Sequence, residues 1–295
     1  LMQSFREANP KVRFILARMT PLSDRHWRFE SGTRDWHDEI QLAIECIAKA
    51  EGVQLIDFHE PLYPYPYMLE DAVHPNAEGA AILAKTVYEG ITGDFGGLQM
   101  SEMYSDNMVL QQQSDAAIWG KAEPGAKVTI TTTWSKAKTV VNADKDGKWF
   151  ARVQTPEAGG PYTVTVSDGE KLVLDNVLIG EVWFCSGQSN MEMMVKGSKG
   201  QPVNGGIDAV LDAKPETPIR MLNVRKCVSA TPKDDCDAIW LEHTQDAVAN
   251  TSAVAYFFAR DLYRALNIPI GIIVSAWGGT LIEPWMSRDV FEKDF

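Results

Sequence analysis

The chain has 295 residues, of which 45% are hydrophobic and 23% charged, the balance of a globular protein rather than a disordered or fibrous one. Its formal net charge is −12 and its pI is near 4.9. Such a surface repels phosphate backbones and anionic headgroups, which argues against nucleic acid or a membrane surface as a partner. No stretch reaches the ~18 apolar residues of a membrane-spanning helix, and the length predicts roughly two domains of about 150 residues, or three smaller units.

Residues 1–95 read as alternating strand and helix. Val12 to Met19 is a strand candidate closed by Thr20 and Pro21. Trp36, Ile40, Ala43, Ile44, Ile47 and Ala50 recur at helical spacing, with Gly52 as the stop. Val53 to Phe58 is a second strand, and a helix over 77–91 places Ala80, Leu83, Ala84, Val87, Tyr88 and Ile91 on one face. This order predicts part of a parallel α/β sheet.

Residues 96–178 change character. Turn signals recur at Glu123-Pro-Gly125, Asp144-Lys-Asp-Gly147, Ala158-Gly-Gly-Pro161 and Ser167-Asp-Gly169. Between them lie alternating runs over 128–132, 148–153 and 162–166, the pattern of a small antiparallel sandwich. Asp144, Asp146 and Gly147 read as a hairpin turn, because the spaced ligands and closing Glu of a calcium loop are absent. Residues 179–295 return to α/β. An apolar strand runs into Gly187-Gln-Ser-Asn-Met191, a second strand covers 219–224, a helix covers 253–266 with Ser252 or Thr251 as its N-cap, and a third strand covers 269–275. The helix is expected to bury Ala255, Phe258, Ala259, Leu262 and Leu266.

Cys46, Cys185, Cys227 and Cys236 make no CxxC pair, so zinc and thioredoxin-like sites are excluded. Cys227 and Cys236 could bridge, but so few cysteines make no disulfide scaffold, and free thiols are the expectation. No metal or other cofactor is expected. The chain opens Leu-Met-Gln-Ser-Phe without a start methionine, and both α/β segments read as cut short, so a central slice of a longer protein is expected.

In open α/β sheets ligands bind beyond the carboxyl ends of the strands. Two loops take that position, Gly187-Gln-Ser-Asn190 and Trp277-Gly-Gly-Thr280. A serine in a strand-end turn exposes its hydroxyl and can aim backbone N–H groups at one point, so Ser189 is a candidate nucleophile and Gly278 and Gly279 are candidate oxyanion donors. The motif is not a G-x-S-x-G elbow, since Met191 stands where the second glycine would be; on pattern alone a strand-end serine is more often structural. Asp71 and His74, three apart before a helix, can share one face of a turn, where the carboxylate would orient the imidazole. The plainer reading is a surface turn with Pro75 starting the helix. His26, His37, His59 and His243 lack such context and read as structural or exposed.

Gly180 to Met191 resembles the nucleophile block of the sialate O-acetylesterase family, within the SGNH/GDSL hydrolase superfamily, and Ile268 to Trp285 resembles its glycine block. Tyr104 to Gln111 and Trp119-Gly120 resemble the sandwich before that catalytic domain, while Asp71 to Gly79 resembles the last block of a GDSL-type SGNH hydrolase. The resemblance implies two partial SGNH-type domains, flavodoxin-like with a parallel sheet in three layers, over 1–95 and 179–295, separated by an all-β sandwich over 96–178. It implies a carbohydrate O-acetylesterase in which Ser189 attacks an acetyl ester, with the N–H groups of Ser189 and of Gly278 or Gly279 holding the oxyanion. Asp71 and His74 would then serve the preceding domain. An acetylated carbohydrate is the implied partner, in a periplasmic or secreted setting; the oligomeric state is left open. Three alternatives remain at this stage: a non-catalytic carbohydrate-binding or spacer module, an acetylxylan-type esterase, and a composite site in which Asp71 and His74 meet Ser189.

Overall fold

The computed structural model describes residues 2–22, 33–94, 96–227, 233–287 and 290. It divides into two compact units, Leu1–Asp94 with Cys227–Lys233, and Phe95–Lys226 with Asp234–Phe295. His26 lies outside the described residues.

The first unit contains α1 (Met2–Ala8), β1 (Ile15–Arg18), α2 (Thr33–Glu51), β2 (Gln54–Asp57) and α3 (Ala77–Thr92). The two strands pair in parallel, from Ile15 opposite Gln54 to Arg18 opposite Asp57. Strand, helix, strand and helix thus follow as the sequence pattern predicts, but both helices are turned about their axes. In α2 the inward line is His37, Gln41, Ile44 and Ala48, whereas Ala43, Ile47 and Ala50 are exposed; the side chain of Trp36 lies outside the described residues. The reason is polar: Gln41 exchanges hydrogen bonds with the backbone of Met19 at 2.8 and 2.9 Å, and His37 Nε2 bonds Thr20 O at 3.0 Å. In α3 the inner face runs through Gly79, Ile82, Leu83 and Gly90, and Ala80, Ala84, Tyr88 and Ile91 are exposed. A Cβ at Gly79 would stand 2.9 Å from Pro75 Cβ, and one at Gly90 2.5 Å from Ile56 Cγ2. The helix approaches its neighbours along a glycine face that carries no apolar signal.

The second unit opens with β3 (Gln99–Met100), β4 (Val109–Gln111), β5 (Asp115–Lys121), β6 (Lys127–Thr132), β7 (Ser135–Asn142), β8 (Lys148–Gln154) and β9 (Gly159–Ser167). There follow β10 (Lys171–Gly187), α4 (Ser189–Glu192), α5 (Gly206–Leu211), β11 (Ile219–Asn223), β12 (Trp240–Leu241), α6 (Gln245–Ala249), α7 (Ala253–Leu266) and β13 (Ile270–Ala276). One sheet is β3–β5–β8; the other runs β12–β11–β13–β10–β9–β6–β7, with β4 also on β10. Alternation along β8 buries Trp149, Ala151 and Val153. These pack with Ile118, Val128, Ile130, Val164 and Val166 in the core of the sandwich. Asp144 Oδ1 accepts the N–H groups of Asp146 and Lys148, both at 2.9 Å, which makes the acidic stretch a hairpin turn.

The whole is mixed α/β, with parallel strands and helices at the N-terminus and a large, mostly antiparallel β region after them. Two details depart from the sequence reading. The boundary expected between 178 and 179 falls inside β10, a single 17-residue strand. Its first half pairs antiparallel with β9 and its second half parallel with β13, so sandwich and α/β part share one backbone ladder. The three parallel strands stand in the order β11–β13–β10, whereas a flavodoxin-like sheet would place the first of them in the middle. Here β10 is committed through its first half to the sandwich. Along α7, Ala255 and Ala259 are buried as expected, but Phe258 and Leu266 are exposed and Tyr256 is buried instead. Phe258 packs edge-on to Trp183 of β10 at 5.1 Å.

Candidate active site

Ser189 is placed by the ends of two neighbouring strands. In the parallel register of β10 and β13, Gly187 stands opposite Ala276. The residues after each therefore leave the sheet at the same level. The N–H of Trp277 donates to Gly187 O at 3.1 Å, and the Gln188 amide donates to Thr280 O. Thr280 Oγ1 closes the second loop by donating to Trp277 O at 2.8 Å and accepts from Trp285 Nε1 at 2.8 Å. The two loops proposed from sequence are brought together. A Cβ on Gly278 would lie 3.3 Å from both Cα and Cβ of Ser189, with the Glu192 carboxylate beside it, so a side chain there would press on the nucleophile turn.

Ser189 is exposed and opens α4. That short helix is anchored at its far end, where Met193 O accepts from Ala253 N at 2.7 Å. Ser252 caps α7 by accepting from Ala255 N at 3.2 Å and turns its hydroxyl to Met191 Sδ at 3.3 Å, an N-cap of the kind worth ~1 kcal/mol. Among the described residues Ser189 Oγ has no hydrogen-bond partner. His243, the histidine of this unit, is buried between Tyr256 OH (3.1 Å) and the Lys214 backbone (3.2 Å). Burial lowers its pKa, as it does that of His37. His59 is buried too, stacked on Tyr63 and 3.2 Å from Glu60 Oε1. The structural reading of these three histidines holds.

Asp71 and His74 lie in the first unit and form a complete local pair. His74 Nδ1 is 2.6 Å from Asp71 Oδ2, while Asp71 Oδ1 accepts the N–H groups of Val73 (3.1 Å) and His74 (2.7 Å). The loop is closed behind them by Asn76 N donating to Met68 O at 2.7 Å and by a bridge between Leu69 and Pro75. Asn76 then caps α3 through Gly79 N at 3.1 Å. The His74 side chain, followed by the two backbone donors, holds the Asp71 carboxyl well below the usual carboxylate range. An ionised Asp71 on Nδ1 favours the tautomer that leaves Nε2 to take a proton. The imidazole is 80% exposed, so the pair is presented to solvent.

Sequence reasoning named the two loops but missed Glu192 and Lys226 and the ties between the loops: Gln188 donates to Thr280 O, Glu192 accepts from the Gly278 N–H, and Lys226 pairs with Glu192, all with partners distant in sequence. No group of three or more His, Cys, Asp or Glu able to hold a metal occurs among the described residues, and none of the four cysteines is in a disulfide. No described helix is long and apolar enough to cross a membrane. A cleft of about 590 Å³, lined among others by Pro161, Arg220, Glu242 and Pro269, opens at the other end of the parallel strands. Arg220 Nη1 is held there by the carbonyls of Thr217 (2.9 Å) and Ile219 (3.2 Å), a structural role.

Comparison with known proteins bears on both regions. Residues 1–82 match the GDSL-like lipase/acylhydrolase family. The chain is 35% identical over 210 residues to the sialate O-acetylesterase of Homo sapiens, covering 65% of this chain and 39% of that protein. It is 36% identical over 205 residues to that of Mus musculus, covering 63% and 37%. Among solved structures, a carbohydrate acetylesterase from Xanthomonas citri superposes with a TM-score of 0.60 at 32% identity, over 66% of this chain and 44% of that one. The chain thus spans about two fifths of the length of the curated relatives it matches. It is similar to GDSL-like hydrolases over its first 82 residues and to the sialate O-acetylesterases over about two thirds of its length.

Proposed function

We propose that the chain contributes to a carbohydrate O-acetylesterase, with Ser189 as nucleophile. The observation that carries this reading is the register of β10 on β13, which sets Ser189 against Gly278. In the proposed reaction Ser189 Oγ bonds to the acetyl carbonyl carbon and gives up its proton to a base. The carbonyl oxygen takes the negative charge on backbone N–H groups of Ser189 and the glycine loop, and the sugar hydroxyl leaves with a proton. Water then releases acetate. Losing one such donor typically costs about 10²–10³ in rate. The base is not among the described residues bonded to Ser189. Asp71 and His74 have the geometry of an acid–base pair and, in this reading, serve the GDSL-like segment of the first unit.

The homologues' names support acetylated sugars, sialic acids included, as the substrate class; the periplasmic or secreted setting is proposed because such glycans are met there. We also assign the parallel strands of each unit to SGNH-type sheets, the second with the order β11–β13–β10 in place of the flavodoxin-like one. The shared strand β10 favours a scaffolding role for the sandwich over an independent binding module. The test is acetate release from O-acetylated sialic acid and from acetylated xylan by the full-length protein, with Ser189→Ala as the control. Loss of the sialate activity alone supports the reading; activity indifferent to the substitution removes Ser189 from the chemistry.

A further inference from the structure

Glu192 ends the short helix that Ser189 begins, three residues on, and reaches across to the other loop. Its Oε2 accepts the backbone N–H of Gly278, and its Oε1 is paired with Lys226 Nζ. Lys226 lies over the Trp277 ring, 5.5 Å from its centroid. The carboxylate thus ties the nucleophile turn to both residues at the start of the glycine loop. Lys226, then the Gly278 N–H, holds its carboxyl below the ordinary value.

The contact has two chemical consequences. An N–H that already donates to a carboxylate is not available to a developing oxyanion, and the N–H groups of Ser189 and Gly279 have no partner among the described residues. A carboxylate beside a site where negative charge develops would also oppose that charge unless a cation cancels it. Lys226 occupies the place such a cation must take.

We infer that Glu192 is a positioning residue: it clamps the glycine loop to the nucleophile turn, leaves Gly279 rather than Gly278 to serve the oxyanion, and has its charge cancelled by Lys226. The inference rests on the proposed role of Ser189. It makes Lys226 conditional, needed only because Glu192 is ionised.

The experiment measures kcat and KM for acetate release by the full-length protein, on a substrate whose hydrolysis Ser189→Ala abolishes. Glu192→Gln keeps an acceptor for the Gly278 N–H and is expected to hold kcat within about threefold. Glu192→Ala loses the clamp and is expected to lower kcat by about 10²-fold with KM little changed, the scale of a 1 Å misplacement. Lys226→Met leaves the carboxylate uncompensated and is expected to lower kcat at least tenfold. The double variant E192Q/K226M is expected to regain the activity of E192Q to within about threefold, a reversal that a merely structural lysine would not show. An unaffected kcat in E192A, or a K226M loss that E192Q does not relieve, overturns the proposal.

A second measurement needs no activity. The Gly278 amide proton, bonded to a carboxylate, is expected far downfield in the NMR spectrum and is expected to move upfield in E192A. An amide shift indifferent to E192A refutes the clamp even if Ser189 is the nucleophile. A responsive shift with activity indifferent to Ser189→Ala keeps the clamp and refutes the esterase role.

Discussion

The two candidate sites are built in opposite ways. Asp71 and His74 are three residues apart, and the hydrogen bonds to the Asp71 carboxylate come from Val73 and His74 themselves, with Thr20 Oγ1 reaching Val73 O at 3.4 Å from farther along the chain. Ser189 and Gly278 are brought together by the register of β10 on β13 and by the hydrogen bonds that join the two loops. A local site survives as long as its loop is closed; a site made from two strand ends depends on the whole sheet between them.

The largest test of this contrast is catalytic. Ser189→Ala is expected to lower the sialate-type activity of the full-length protein by at least about 10³-fold, and His74→Ala to leave that activity alone, because residues acting as one unit show strongly non-additive losses and independent sites do not. An equal loss from His74→Ala, not deepened in the double variant, would join the two pairs into a single site.

A stability test comes next. Trp149 is 2% exposed in the sandwich core, so Trp149→Ala is expected to cost ~3–5 kcal/mol in denaturant unfolding. Because β10 runs through both parts, hydrogen exchange is expected to rise in the nucleophile turn along with the sandwich. Faster exchange confined to residues 96–178 would restore the boundary inside β10 as a true domain boundary.

Smaller effects discriminate between the glycines. At Gly278 an added Cβ would meet Ser189 and Glu192, and Gly278→Ala is expected to reduce kcat by about 10²-fold through displacement of the turn. Gly279 has φ +81° but open space around it, so Gly279→Ala is expected to cost ~1–2 kcal/mol in backbone strain, read as a lower melting temperature. Equal melting temperatures for wild type and Gly279→Ala would show that the loop relaxes.

The smallest signal is a titration. The folded Asp71 carboxyl lies below its ordinary value of 3.8, so its contribution is fully present above the unfolded pKa and is lost only as pH falls through the lower folded value. Carbon-detected NMR of Asp71 is expected to give a midpoint below 3.8 that climbs back in His74→Ala; an ordinary midpoint in both proteins would show that the pair is not formed in solution.

Much of this was legible in the residues. The alternation in β8, the Ser252 cap and the spacing of Asp71 and His74 each encode local structure, and the structure follows them, whereas α3 starts after Asn76 as its cap and not at Pro75. The helix faces were legible only in part: Ile44 and Leu83 turn inward as expected, but α2 also turns in His37 and Gln41, and α3 also turns in Gly79 and Gly90. A polar pair satisfied by backbone, or a missing side chain, leaves no hydrophobic trace. Glu192 and Lys226 were invisible for a related reason: their partners lie 86 and 34 residues away.

The sequence by itself determined the elements, the resemblance to sialate O-acetylesterases, and the two short stretches that could hold a nucleophile and its anion donors. Only the tertiary structure decided that those stretches meet, that one strand joins sandwich to sheet, and that a carboxylate already holds one of the two glycines. The physical reason is range. Caps, turns and alternation are set by neighbours within a few residues, whereas strand register and the spare N–H of a distant loop exist only once the chain has closed on itself.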